Sequence, residues 1–242
     1  MARNYYSIDT SILAIRQIRA ALVDKYGGGV TIHYETVRIL VFSIPAISSK
    51  TFRFYKSADS TTISATYGDA YNGTTSVTNP IVFGGYAVSA FMSIFHLVLD
   101  DNFLFINYLS PSTSIYSCII IIGKLTNNDF IAMGLSGYAS PQESIGVNFT
   151  SGKAIRPITI SNGFINSSNK LYKQPLLFVS SDNTIVVNGD GSFATIDGIF
   201  NISWTLSNTT LIKAANYLMS SSGYMWMTDG LRYLSTSLFI EF

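Results

Sequence analysis

Short apolar runs rich in β-branched and aromatic residues, roughly five to eight residues long and roughly ten apart, recur along most of the chain. They include Val37 to Phe42, Thr51 to Lys56, Thr61 to Tyr67, Phe95 to Leu99, Phe103 to Leu109, Ile115 to Leu125 and Phe130 to Met133. Between them lie turn-forming clusters: Ser57-Ala58-Asp59-Ser60, Asp100-Asp101-Asn102 and Thr126-Asn127-Asn128-Asp129. Runs too short for buried helices, separated by residues that reverse the chain, predict consecutive antiparallel hairpins. Leu176 to Val179, Thr184 to Val187, Phe200 to Leu206 and Leu231 to Phe242 extend the pattern. No fixed-period repeat or Pro- or Ser-rich linker divides it, so the expectation is a mainly β chain folded as an antiparallel sandwich or barrel-like domain.

One segment breaks this rhythm. From Thr10 to Tyr26 the apolar residues Ile12, Ile15, Ile18, Leu22 and Tyr26 recur at helical spacing opposite Arg16, Gln17, Asp24 and Lys25. Asp9 or Thr10 can cap the helix, and Gly27-Gly28-Gly29 stops it and supplies a hinge. The expected organisation is an N-terminal amphipathic helical arm with its hinge, 1–29, and a single β-rich domain, 30–242. Ile12, Ile15, Leu22 and Tyr26 are the candidate subunit-interface residues, with the arm docked on a neighbouring chain. Leu211 to Met219 is a weaker helix candidate. After the hinge the period falls to two, with Val30, Ile32 and Tyr34 alternating against Thr31, His33 and Glu35.

Charge narrows the function. Lys and Arg number 15 against 14 Asp and Glu, giving a net charge of +1 that cannot build the basic face nucleic acid requires. Charged residues are 12% of the 242-residue chain, about half the roughly 25% of an ordinary soluble domain, which points to flanks covered by other subunits or by copies of itself. Residues 81 to 99 carry no formal charge over nearly the ~20 positions of a bilayer span. Gly84, Gly85, Ser89, Ser93 and His96 dilute that run, which reads as strand material, and no membrane span is expected. The start of the chain has no apolar stretch of the length a secretory leader needs.

The residues that carry catalysis are sparse. The two imidazoles, His33 and His96, lie in strand-like runs, and Cys118 sits in the apolar segment Cys118 to Ile122 as a buried thiol. Gly134-Leu135-Ser136-Gly137 is out of spacing for a nucleophile elbow, and one Cys with two distant His cannot close a zinc site. Asp182-Asn183 and Asn188-Gly189-Asp190-Gly191 offer oxygens to calcium but no acidic residue closing a loop, so they read as turns. Gly27-Gly28-Gly29 lacks the Lys that follows in a phosphate loop. Five Asn-x-Ser/Thr triplets, beginning with Asn72-Gly73-Thr74, read as turn chemistry. No catalytic, cofactor or metal site is expected, and the chain is not expected to be an enzyme. Tyr224 and Trp226, flanking Met225, form the best candidate recognition surface. With loops Ser57 to Ser60 and Ser161 to Asn169 they suggest an alternative role, a receptor- or glycan-binding module.

Phe95-His96-Leu97-Val98-Leu99, the turn Asp100-Asp101-Asn102, Phe103 to Tyr108 and the later Ile122-Gly123-Lys124-Leu125-Thr126-Asn127 make a composite pattern. With Gly134-Leu135-Ser136-Gly137-Tyr138 it resembles a group of tailed-bacteriophage virion proteins over residues 95–138. That group has a His-Leu-apolar hairpin, a second strand ending in a Gly-Lys-Leu-like turn and a Gly-and-Tyr segment. This chain has Ile119 to Ile122 where the group tends to have an aromatic or basic pair before the turn. The resemblance implies a structural subunit of tail, baseplate or neck, made in the host cytoplasm and carried in the virion. Its partners would be other virion proteins and copies of itself. A glycan-binding role would place it at a tail tip or fibre, against a host-surface glycan.

Overall fold

The computed structural model describes residues 3–9, 13–56, 63–84, 94–109, 117–135, 145–148, 154–158, 174–175, 177–180, 184–201, 213–214, 217–219, 225–227, 231–233 and 238–241. The chain is mainly β, with one α-helix among the described residues. Strand β1 (Asn4–Asp9) precedes helix α1 (Ala14–Tyr26). Then follow β2 (Thr31–Glu35), β3 (Ile39–Ser43), β4 (Thr51–Lys56), β5 (Ile63–Gly68) and β6 (Ile81–Gly84). Next come β7 (Ile94–Leu99), β8 (Phe103–Leu109), β9 (Ser117–Lys124), β10 (Phe130–Leu135), β11 (Ile145–Asn148) and β12 (Ala154–Ile158).

Strands β2 to β6 form a five-stranded antiparallel meander in sequence order. An eight-stranded antiparallel sheet runs β1-β7-β8-β9-β10-β11-β12 and ends on Leu177–Ser180. The uncharged stretch 81–99 begins as β6 in one sheet and ends as β7 in the other. No helix of the described residues is long and apolar enough to cross a membrane.

The two sheets enclose one core. Leu40, Phe42, Phe52, Phe54 and Phe83 from the smaller sheet meet Leu97, Leu104, Ile106, Ile120 and Phe130 from the larger. Ring contact between Phe52 and Phe130, centroids 5.7 Å apart, joins them directly. This is the expected sandwich arrangement. The larger sheet also buries its second face, where Val98, Phe103, Phe105, Ile121, Ile131 and Met133 pack on Phe178, Ala194, Ile196 and Ile199. Double burial explains why β9 is an unbroken run of isoleucines: Ile120 and Ile122 face the inter-sheet core, and Ile121 faces the other. Strand β4 of the smaller sheet alternates instead, with Phe52 and Phe54 inside and Arg53 and Tyr55 half-buried on the outer face, although Leu40, Val41 and Phe42 of β3 are all buried.

Two local features shape the smaller sheet. The register between β2 and β3 shifts around His33, a bulge that re-aims the His33 side chain. Gly68 ends β5 where the excursion 69–79 folds back, and any Cβ there would collide with the Thr78 carbonyl and Val77. That excursion is held by main-chain bonds from Asp69 to Thr78 (3.1 Å), Asn72 to Ser76 (3.1 Å) and Thr78 to Ala70 (2.8 Å).

The N-terminal region departs from expectation. The helix ends on Gly27, at φ +52° with its N–H bonded to the Val23 carbonyl, as glycine there predicts. It starts at Ala14, however, with Leu13 at the cap position and no side-chain cap, and the expected cap Asp9 belongs to β1; Thr10 lies outside the described residues. Ala14, Ile15, Ile18, Ala21 and Leu22 all belong to the inter-sheet core of their own chain. Strand β1, pairing with β7 from Asn4↔Leu99 to Asp9↔Ile94, returns the chain to the body and delivers the helix onto it.

Toward the C-terminus, Lys213–Ala214, Tyr217–Met219 and Met225–Met227 form a small antiparallel sheet where a weak helix was expected from Leu211 to Met219. Pairing of Leu218 with Trp226 overrides a faint helical period there. The single strand expected from Leu231 to Phe242 is a pair instead, Leu231–Tyr233 against Leu238–Glu241.

Candidate functional site

Four places in the described residues bring together side chains with chemical or binding potential. At the first, β1 and α1 meet the turn between β7 and β8. The Nε of Arg3 donates to Asp100 Oδ2 at 2.7 Å, with the two side chains only 17% and 5% exposed. Asp100 Oδ1 accepts from the Asn102 amide at 3.1 Å, and the Tyr26 hydroxyl donates to the Asp100 carbonyl at 2.6 Å. Lys25 reaches Asp101 at 3.0 Å. Burial, together with the Asp100 and Asp101 carboxylates, pushes the Tyr26 phenol far above its ordinary range, so it stays a proton donor.

Of the helix residues expected at a subunit interface, Ile15, Leu22 and Tyr26 pack within this single chain. Ile15 and Leu22 are fully buried within the chain and Tyr26 is half-buried with its hydroxyl engaged, so none of them offers a free docking face. The apolar stripe is already covered by the two sheets. Ile12 lies outside the described residues.

The second place is on β2 to β4. His33 Nε2 lies 2.8 Å from Ser43 Oγ, which is 3.0 Å from Thr51 Oγ1, and the imidazole stacks on Tyr71 with centroids 5.3 Å apart. Burial lowers the His33 pKa, keeping the ring neutral near pH 7. A neutral imidazole beside a hydroxyl can accept its proton, the first requirement of an activated serine. The ring, however, is positioned by a tyrosine face instead of a carboxylate, and the nearby Glu35 pairs with Arg19 at 3.4 Å. His33 stands at the bulge of β2, and Ser43 on β3 is the Cα partner of Thr31, so the two belong to adjacent strands rather than to a strained nucleophile turn, and the contact is a polar one across strands. His96 is on β7 opposite Ser7 and Asn107, and Cys118 is on β9 opposite Tyr108.

Third is the turn 188–191. Asp190 Oδ1 accepts from the Ser192 amide (2.9 Å) and hydroxyl (2.6 Å), which holds its carboxyl below the usual range. Gly191 takes φ +84° and donates to the Asn188 carbonyl at 3.0 Å. The segment is a turn, as its composition predicts. Asp182 and Asn183 lie outside the described residues, and among the described residues no three His, Cys, Asp or Glu side chains gather.

The fourth is apolar, and sequence reasoning missed it. Residues 184–196 lie over the outer face of the larger sheet, tied down by Thr126 Oγ1 to Asn188 Oδ1 (2.9 Å) and by the Thr126 amide to the Thr195 carbonyl (2.9 Å). Ala194 and Ile196 turn inward to the core, with Val186 packed against them. On the opposite side Ile185, Val187 and Phe193 are 39%, 45% and 49% exposed, and Val187 and Phe193 are bridge partners. The signal was the run Ile185-Val186-Val187: apolar residues at successive positions of a surface hairpin leave one apolar face outside.

Tyr224 lies outside the described residues, as do the loops 57–60 and 161–169. Trp226 is the middle residue of Met225–Met227, at the edge of the small three-stranded sheet. No protein-family model matches this chain, and no curated protein matches it.

Proposed function

We propose that this chain is a structural subunit of a tailed-phage particle, packed among other virion proteins and copies of itself in a tail, baseplate or neck. The observation that carries the reading is the apolar outer face of the 184–196 hairpin, Ile185, Val187 and Phe193, on a chain with only 12% charged residues. Bridge-paired apolar side chains fixed on a hydrogen-bonded hairpin are the material of a subunit contact. Support also comes from the resemblance over residues 95–138. The rigid double-layered body suits a scaffold that transmits position.

The test is mass spectrometry of particles purified from the producing cells, with a Phe193→Asp chain made in parallel. Expected is the wild-type chain at stoichiometric level in the particle, with the variant folded but depleted from it. A wild-type chain found only in the soluble lysate overturns the proposal.

A further inference from the structure

We infer that residues 3–26, strand β1 with helix α1, form a unit that exchanges between two copies of this chain, so that each copy completes the other's sandwich. This stands apart from the particle reading, since it concerns what the isolated chain does with itself.

The unit coheres internally. The Tyr6 hydroxyl donates to Asp24 Oδ2 at 2.6 Å, pinning strand to helix, and Asn4 Nδ2 donates to the same hydroxyl at 2.9 Å. Its remaining contacts cross to residues beyond the glycines. Among the described residues strand β1 is the outermost member of the eight-stranded sheet and pairs only with β7, so removing it opens an edge and leaves no gap within the sheet. Arg3 to Asp100, Lys25 to Asp101 and Tyr26 to the Asp100 carbonyl make a latch at one end, and Arg19 lies 3.4 Å from Glu35 along the helix. A second copy presents the same edge, cavity and acidic turn, and would satisfy every one of these contacts identically.

The connection is suited to exchange. Gly27 needs glycine for its φ of +52°. Gly28 does not: its φ is not positive, and an added Cβ would meet nothing within 4 Å. Gly29 would meet only the Tyr26 Cβ at 3.9 Å. All three are exposed. Two of the three glycines therefore answer no packing or turn requirement, and what they add is backbone freedom at the one joint between the unit and the body. Because closed and exchanged forms differ only at this joint, the balance between them is set by chain concentration at the moment of folding.

The experiment places cysteines at Ser7 and His96, which are Cα partners on β1 and β7, in a Cys118→Ala background. Directly opposed strand residues sit roughly 4.5–5.5 Å apart at Cα, inside the span a disulfide bridges. The Ser7→Cys/His96→Cys protein is refolded dilute and concentrated, oxidised and run on a non-reducing gel. Expected is a covalent dimer whose share rises several-fold from the dilute to the concentrated sample. Disulfides closed within single chains at every concentration overturn the inference, even where light scattering shows a dimer. Should that pair impair folding, Asn4→Cys with Leu99→Cys reports the same ladder. Wild-type chain that refolds only to monomer by light scattering, however concentrated, also overturns it.

Discussion

The two sheets solve the burial problem differently. In β9 consecutive residues Ile120, Ile121 and Ile122 are all buried, because the inter-sheet core lies on one side and Phe178, Ala194 and Ile196 lie on the other. In β4, Phe52 and Phe54 are buried while Arg53 and Tyr55 between and after them reach the outer face, where the Arg53 guanidinium stands 5.0 Å from the Tyr55 ring centre. Continuous burial thus marks a strand covered on both faces and alternation a strand covered on one, and the coverage is local to the strand: in β3 of the smaller sheet Leu40, Val41 and Phe42 are all buried.

The largest effects should break that contrast if it is wrong. In β9, Ile120→Ala and Ile121→Ala should each cost about 2–5 kcal/mol, since each empties a packed site on a different face. In β4, Phe52→Ala should cost about 3–5 kcal/mol while its neighbour Arg53→Ala costs less than about 1 kcal/mol. Urea titration of the four variants measures all of this. Equal costs at 52 and 53, or a silent Ile121→Ala, would contradict the layer assignment.

Next in size is Gly68→Ala. The Cβ would strike the Thr78 carbonyl and Val77, which close the 69–79 excursion over the outer face, so the loop must shift. A loss of about 1–3 kcal/mol is expected, the usual range for overpacking. Amide exchange should show the loop loosening at Thr78, whose N–H bonds the Ala70 carbonyl, while the doubly covered β9 stays protected.

How much of this was legible in the sequence follows from the same contrast. The hairpins β4-β5, β7-β8 and β9-β10 could be read directly, since period and turn chemistry are local properties, and Asp100 to Asn102 or Thr126 to Asp129 announce the reversals. What covers a face is not local. Helix α1 was visible as an amphipathic stripe, but its destination depended on β1 pairing with β7, about ninety residues away, and on nothing within the helix itself. Strand β1 escaped notice because Tyr5, Tyr6 and Ile8 alternate only briefly among Asn4, Ser7 and Asp9. The exposed side of the 184–196 hairpin was hidden for the opposite reason: uniformly apolar sequence does not say which side lacks a cover. Ile122 and Leu125, within the Ile122 to Asn127 segment, likewise serve the core.

Alkaline titration sharpens the comparison further. Burial and Asp69 raise the Tyr67 phenol to about 12, and Tyr26 is raised further still. Both groups keep their protons in the folded chain at pH values where the unfolded chain has lost them, so stability is intact below about pH 10 and falls as pH climbs toward 12. Tyr67→Phe should flatten that decline in a series of denaturation curves. An unchanged slope would mean that the ring's hydroxyl is solvated in the folded chain.

The smallest effect lies on the acid side and concerns two groups near the Ser43, Thr51 and Gly68 end of the smaller sheet. Burial lowers the His33 pKa, so as pH drops below about 6.5 the unfolded chain takes up a proton before the folded one does, and stability declines. His33→Gln should remove that decline while leaving intact the later loss, below about pH 4. There Asp69, held below its ordinary range by Lys50 and Asn79, becomes protonated. The two steps can be told apart because each has its own remedy: Lys50→Met should weaken only the lower one. Both are small, since His33 is half-buried on the outer face and the Lys50–Asp69 pair, 2.6 Å apart, is solvent-exposed. A steep acid transition surviving both substitutions would show that neither His33 nor the Lys50–Asp69 pair is responsible for it.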